Sequence, residues 1–148
     1  MEPDHFFEFA RELREAGYEG GPAYRTMISR AYYAAHLKAH STLLAKRVDP
    51  TRGQEDGNQR IHRLVINSMR NLRWYGLADN LDELRELRVR ADYSLREDVD
   101  GADVATSFKL AERILGELDH PPRRTALDRP SCRARDTWPP PHHHDDEL

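Results

Sequence analysis

Cysteine is nearly absent: Cys132 is the only one among 148 residues. That excludes an internal disulfide and any thiolate-built zinc site, so stability has to come from an ordinary core. No apolar run approaches the roughly 18 to 20 residues needed to cross a bilayer. The segment Met1 to Glu15 is acidic and charged, without the basic start and apolar stretch of a signal peptide. A cytoplasmic protein with no membrane span is the expectation. Lysine is scarce too, because among 23 basic residues only Lys38, Lys46 and Lys109 are not arginine. Guanidinium forks bind oxyanions bidentately, which would suit phosphate, although an arginine-rich coding bias explains the composition equally well. There is no Gly-rich phosphate loop, no nucleophile elbow and no Glu-x-x-His pattern. Those absences exclude P-loop nucleotide hydrolysis, α/β-hydrolase chemistry and ferritin-like di-metal oxidation.

What is present is one domain's worth of chain, 38% hydrophobic and 33% charged, with a net charge of -3. Nothing global points to nucleic acid or to an anionic surface, so any such signal must be local. The chain divides near His120. Six of the nine prolines fall in residues 119–148, where apolar periodicity also fades, so this segment cannot offset the entropy of folding alone. It reads as a Pro/Arg/His-rich flexible tail behind a body spanning residues 1–118. The run His142, His143, His144 followed by Asp145 and Asp146 suits an adventitious metal better than a physiological one.

The body reads as helices throughout. Asp4 can cap a helix over His5 to Ala16 that turns Phe6, Phe9, Ala10 and Leu13 inward and stops at Gly17. A long helix follows the turn Gly20, Gly21, Pro22 and runs to about Lys46, with Ile28, Ala31, Tyr32, Ala35, Ala39 and Leu43 on one side. The stretch Arg47 to Gly57 is a polar loop. Asn58 can cap a third helix to about Arg73, Asp79 or Asn80 starts a fourth carrying Leu81, Leu84, Leu87, Ala91 and Leu95, and Asp100 starts a fifth. Val104, Phe108, Ala111, Ile114 and Leu115 form the apolar side of that last helix. No alternating β-branched run competes. The expected fold is an all-α, up-and-down four-helix bundle with a short extra N-terminal helix.

Three helix faces carry candidate chemistry. On the third helix, Arg60, Arg63, Arg70 and Arg73 gather opposite Ile61, Leu64, Val65, Met69 and Leu72, with His62 at the edge. Four arginines along ~20 Å can track phosphates, or they can pair with acids on neighbouring helices. On the second helix Ser29, Tyr33, His36 and His40 form a polar seam. His36 and His40 have the spacing of helical metal ligands, but no carboxylate accompanies them, and hydrogen-bonded histidines at a helix contact are the commoner outcome. No metal or other cofactor is called for. On the fourth helix Arg85 and Arg88 share a side with Asp92, which suits either a charge cluster or a phosphate site in which the carboxylate holds an arginine in place.

Ser29-Arg30-Ala31-Tyr32-Tyr33-Ala34-Ala35-His36, a helix bearing His62, then Leu84-Arg85-Glu86-Leu87-Arg88-Val89-Arg90-Ala91-Asp92-Tyr93 and a final Ala-rich helix resemble the HEPN superfamily (higher eukaryotes and prokaryotes nucleotide-binding). The similarity is to its branch with an Ala-Tyr-Tyr helix and an Arg-x-Arg-Ala-Asp-Tyr helix, and it covers roughly residues 5 to 118. The resemblance implies a helical bundle that usually dimerises, in toxin-antitoxin, phage-defence or RNA-handling settings, often beside a minimal nucleotidyltransferase. It also implies two functions. The first is a module whose Tyr32, Tyr33, His62, Arg63, Arg70, Arg88, Asp92 and Tyr93 contact a nucleotide, RNA or a partner. The second is a metal-independent endoribonuclease using arginine and histidine across a dimer interface. The family's nuclease motif places a histidine a few residues after an arginine on a late helix, and here none follows Arg90 within reach. Arg30 and His36 have the right interval on the earlier helix, about 120° apart by helical angle, so His36 with Arg30 or Arg90 is the candidate catalytic set.

Overall fold

The computed structural model describes residues 2–53 and 60–122. Five helices account for most of them: α1 (Pro3–Glu15), α2 (Gly21–Ala45), α3 (Ile61–Asn71), α4 (Tyr75–Tyr93) and α5 (Gly101–Asp119). No strand occurs among the described residues, and the all-α class holds. The Asn58 cap and the tail from residue 123 onward, with Trp138 and the histidine run, lie outside the described residues.

α2 is the axis of the bundle and packs against each of the other four helices. Its sequence explains this position. Ala31, Ala34, Ala35 and Ala39 are wholly enclosed, as are Tyr32 and Leu43, so small side chains admit neighbours closely on several sides. α5 follows the expected start. The Asp103 N–H donates to Asp100 Oδ1 at 2.9 Å and the Asp100 N–H donates to Asp103 Oδ2 at 3.1 Å, a reciprocal cap. Lys38 of α2 holds Asp119 at its far end at 2.9 Å.

Several boundaries and inward positions differ from expectation, among them the start of α3 at Ile61 and Leu64, which lines a surface groove instead of the core. α1 begins at Pro3 rather than after Asp4, because proline suits the first helical turn, and Asp4 lies in that turn without capping it. Phe7, not Phe9, is its buried aromatic. Phe7 meets Phe108 of α5 edge to face at 5.3 Å, while Phe9 is 46% exposed. Both positions fit a helical stripe, and the location of Phe108 decides between them. α3 ends at Asn71, and Arg73 beyond it takes the left-handed conformation with φ 63°. α4 starts at Tyr75, ahead of Asp79 and Asn80, because burying Trp74, Leu77 and Ala78 extends the helix without any side-chain cap. At its other end Leu95 lies past the helix and is 76% exposed.

The α4 terminus is gripped from α2. Arg25 Nη1 donates to the carbonyls of Arg90 (3.0 Å) and Ala91 (2.7 Å), and Nη2 donates to those of Ser94 (3.4 Å) and Glu97. A cation among the last carbonyls of a helix completes their hydrogen bonds and offsets the helix dipole.

Candidate functional site

The two motif helices meet in one cluster. Arg88 of α4 is buried, and its guanidinium is held on several sides. Its Nε donates to Asp92 Oδ2 at 2.8 Å, and its Nη2 donates to the hydroxyls of Tyr33 (2.9 Å) and Tyr93 (3.4 Å). The rings of Tyr32, Tyr33 and Tyr93 pack around it, with centroids 5.6, 5.3 and 5.3 Å from Cζ. Ser29 donates a longer bond, 3.4 Å, to the same Asp92 oxygen. Asp92 therefore positions an arginine, as the spacing on α4 suggested.

A second thread enters from α3. The hydroxyl of Tyr32 lies 2.6 Å from His62 Nδ1. Tyr32 is wholly enclosed, and burial pushes its phenol up from the ordinary value of 10 despite the opposing charge of Arg88. The hydroxyl thus stays protonated, and Nδ1 is its one partner among the described residues. We assign the hydroxyl as the donor in this pair, which places the ring proton of His62 on Nε2. Burial first, then Arg88 and Arg85, hold His62 below its ordinary value, so the ring is neutral at pH 7. His36 lies beneath, its ring 4.4 Å from that of His62 and stacked on Tyr32 at 5.7 Å. It is 4% exposed, and its Nδ1 has no hydrogen-bond partner. Burial, His62, His40 and Arg88 together push its pKa down to about 3.

Above this cluster runs an open groove of about 890 Å³ between α3 and α4. Arg60 and Arg63 line one side and Arg85 and Arg88 the other, each pair one helical turn apart, with His62, Tyr33 and Tyr93 between them. Leu64, Asn67 and Val89 complete the wall, and no carboxylate among the described residues lines it. Arg85 is steadied from outside by Asp82, whose Oδ1 accepts from Nε and Nη2 at 3.1 Å each.

Of the candidate residues, Tyr33, His62, Arg63, Arg88 and Tyr93 line the groove, with Tyr32 and Asp92 directly behind. Arg70 turns away toward Asp79 and Asp82, at 3.6 and 3.7 Å. Of the candidate catalytic set, His36 is enclosed below the groove rather than on its wall. Arg30 sits against the rings of Phe6 and Tyr33, at 5.8 and 5.9 Å from their centroids. Arg90 points to the opposite side of α4 and pairs with Asp103 at 2.5 Å. Within one chain these three do not converge. His36 and His40 stand 6.3 Å apart ring to ring, and among the described residues no group of three or more His, Cys, Asp or Glu is placed to hold a metal ion.

The site brings in Arg60 and Arg85, which the sequence put on faces able to meet phosphate without singling them out as site residues, and the Tyr32–His62 bond, which no local pattern announced. Nor is any helix among the described residues long and apolar enough to cross a membrane.

The described residues thus form a helical bundle whose arginine-walled groove lies over the Ala-Tyr-Tyr helix. The family model for the HEPN domain matches residues 4–120, and the chain belongs to that family. Membership makes it one of a group of nucleotide- and RNA-related modules, whose domains commonly dimerise. A comparison with curated proteins found no match.

Proposed function

We propose that the chain is a phosphate-reading HEPN module whose α3–α4 groove binds RNA or a nucleotide. One observation carries this reading: four guanidinium groups line a single groove, without a carboxylate among the described lining residues, in a chain whose net charge is -3. Concentrating positive charge there against the global sign is what phosphate recognition needs and what a merely solvated face does not. Tyr33 and Tyr93 offer ring faces for a base, and Asn67 offers an amide that both donates and accepts.

The test is fluorescence anisotropy of labelled single-stranded RNA with the full chain in excess chelator. Binding that weakens with salt and is abolished by Arg63→Glu with Arg85→Glu supports the proposal. Affinity unaltered by that pair removes it.

A second reading, the metal-independent endoribonuclease, rests on His62. This imidazole shares the groove with Arg85 and Arg88, and with Nδ1 held by Tyr32 its Nε2–H faces the groove as a donor, the role of a general acid toward a leaving oxygen beside phosphate. His36 with Arg30 or Arg90 would serve only if a second copy supplied what one chain separates. RNA cleaved in chelator, and spared by His62→Ala, would select this reading. Full-length RNA after prolonged incubation returns the module. The wider setting is also part of the proposal: a homodimer or a pair with a minimal nucleotidyltransferase, cytoplasmic, in toxin-antitoxin or antiviral defence. A solution mass of one chain, with or without RNA, would remove the homodimer from it.

A further inference from the structure

Arg88 is an unusual groove-floor residue because it is at once buried, charged and immobilised. Its hydrogen bonds to Asp92, Tyr33 and Tyr93 use Nε and Nη2, and none among the described residues uses Nη1. A guanidinium fork with one end tied down and the other uncommitted is preorganised for an oxyanion, since little side-chain freedom is left to lose on binding. Beside it stands His62. The groups facing that ring are Tyr32, Tyr33 and His36 from α2, Arg85 and Arg88 from α4 with their acids Asp82 and Asp92, and its own neighbour Arg63. Because Tyr32 occupies Nδ1, the donor left to the groove is Nε2–H.

The charge count selects among phosphates. Four arginines line the groove, Asp82 holds one and Asp92 holds another, so two positive charges remain uncompensated among the described residues. A phosphodiester link brings one negative charge, whereas a phosphomonoester brings about 1.5 to 2 near neutral pH, spread over three acceptor oxygens.

Resting on the phosphate reading above, we infer that the groove floor is a receptor for a terminal phosphate, with Arg88 Nη1 and His62 Nε2 donating to its oxygens. The chemical class is a phosphomonoester, whether carried by a free nucleotide or by the phosphorylated end of a strand. Arg60 and Arg63, the two groove arginines without an acidic partner among the described residues, supply the compensating charge from the facing wall. His62 acts as a neutral donor, so the site does not depend on acidification to form.

The experiment measures affinity of the full chain at pH 7.5 in chelator for one short RNA prepared unphosphorylated, 5′-phosphorylated and 3′-phosphorylated, and for a nucleoside 5′-monophosphate. A single added charge-assisted hydrogen bond predicts roughly tenfold or more between a phosphorylated strand and its unphosphorylated twin. Arg88→Lys should collapse that ratio toward unity, as should His62→Phe, which leaves Arg88 and its partners in place and guards against loss of fold in the first variant. Binding of the mononucleotide at the strength of the phosphorylated strand identifies a free nucleotide as the source, and preference for the strand identifies an RNA end; both support the inference. Equal, salt-sensitive affinity for all three strands overturns it and leaves the phosphate-reading module standing. No binding by any probe overturns both.

Discussion

Acidification should unfold this protein through His36. In the unfolded chain the imidazole titrates near its ordinary 6.5, and in the fold burial and neighbouring charge push it down to about 3. Between those values the unfolded state binds the extra proton, so stability declines as pH falls below 6.5 and the decline ends near 3. At pH 5 one such group costs about 2 kcal/mol relative to pH 7.5. His36→Leu removes the titration and also removes a buried nitrogen that has no partner, so at pH 7.5 it should be neutral or slightly stabilising. The assay is urea unfolding followed by far-ultraviolet circular dichroism at pH 7.5 and 5.0 for both proteins. His62 and the carboxylates titrate in both, so the difference between the proteins isolates His36. Parallel losses in the two would refute the claim that this ring is held neutral inside the fold.

Other substitutions probe the frame around the site. Arg25→Met removes all of the side-chain hydrogen bonds to the end of α4, and because water can reach part of that corner the expected loss is about 2 kcal/mol in the same unfolding assay. Phe7→Ala should cost about 3 kcal/mol through the cavity it leaves against Phe108, while Phe9→Ala should stay within about 0.5 kcal/mol; equal effects would reverse the assignment of α1's buried side. Arg73→Val should destabilise by about 1 kcal/mol and Arg73→Gly should not, since the left-handed conformation there penalises branching at Cβ. The proposed boundary after residue 118 predicts that a chain ending at Pro122 melts at the same temperature as the full chain, and a lower midpoint would assign the tail a share in the fold.

The helices were legible because apolar residues recur at the helical period and because Gly17 and Asp100 punctuate them. Where reading failed, tertiary contact had overruled local signal. Trp74 starts α4 early because it is buried against the body, and nothing within Trp74 to Asp79 states that. Phe7 and Phe9 are equivalent until Phe108 is located. At the site, Asp92 and Arg88 lie one turn apart, so their pairing was visible on the helix itself. The Tyr32–His62 bond spans 30 residues and crosses a loop, beyond the reach of periodicity. The arginines sorted themselves by acids whose positions only the fold supplies: Asp79 and Asp82 take Arg70, Asp103 takes Arg90, and Arg60 and Arg63 are left to the groove.

The alanine rail of α2 has a consequence for how such a groove can diverge. Its enclosed alanines, set beside the larger Tyr32 and His36, let neighbouring helices approach α2 closely, so the spacing of the arginines on α3 and α4 is set in part from behind. Enlarging a single rail position, Ala35→Leu for instance, would wedge the supporting helices outward and retune ligand fit without altering any residue a ligand touches. Specificity in this scaffold is thus adjustable from its spine, by changes that a survey of the cleft's own walls would overlook.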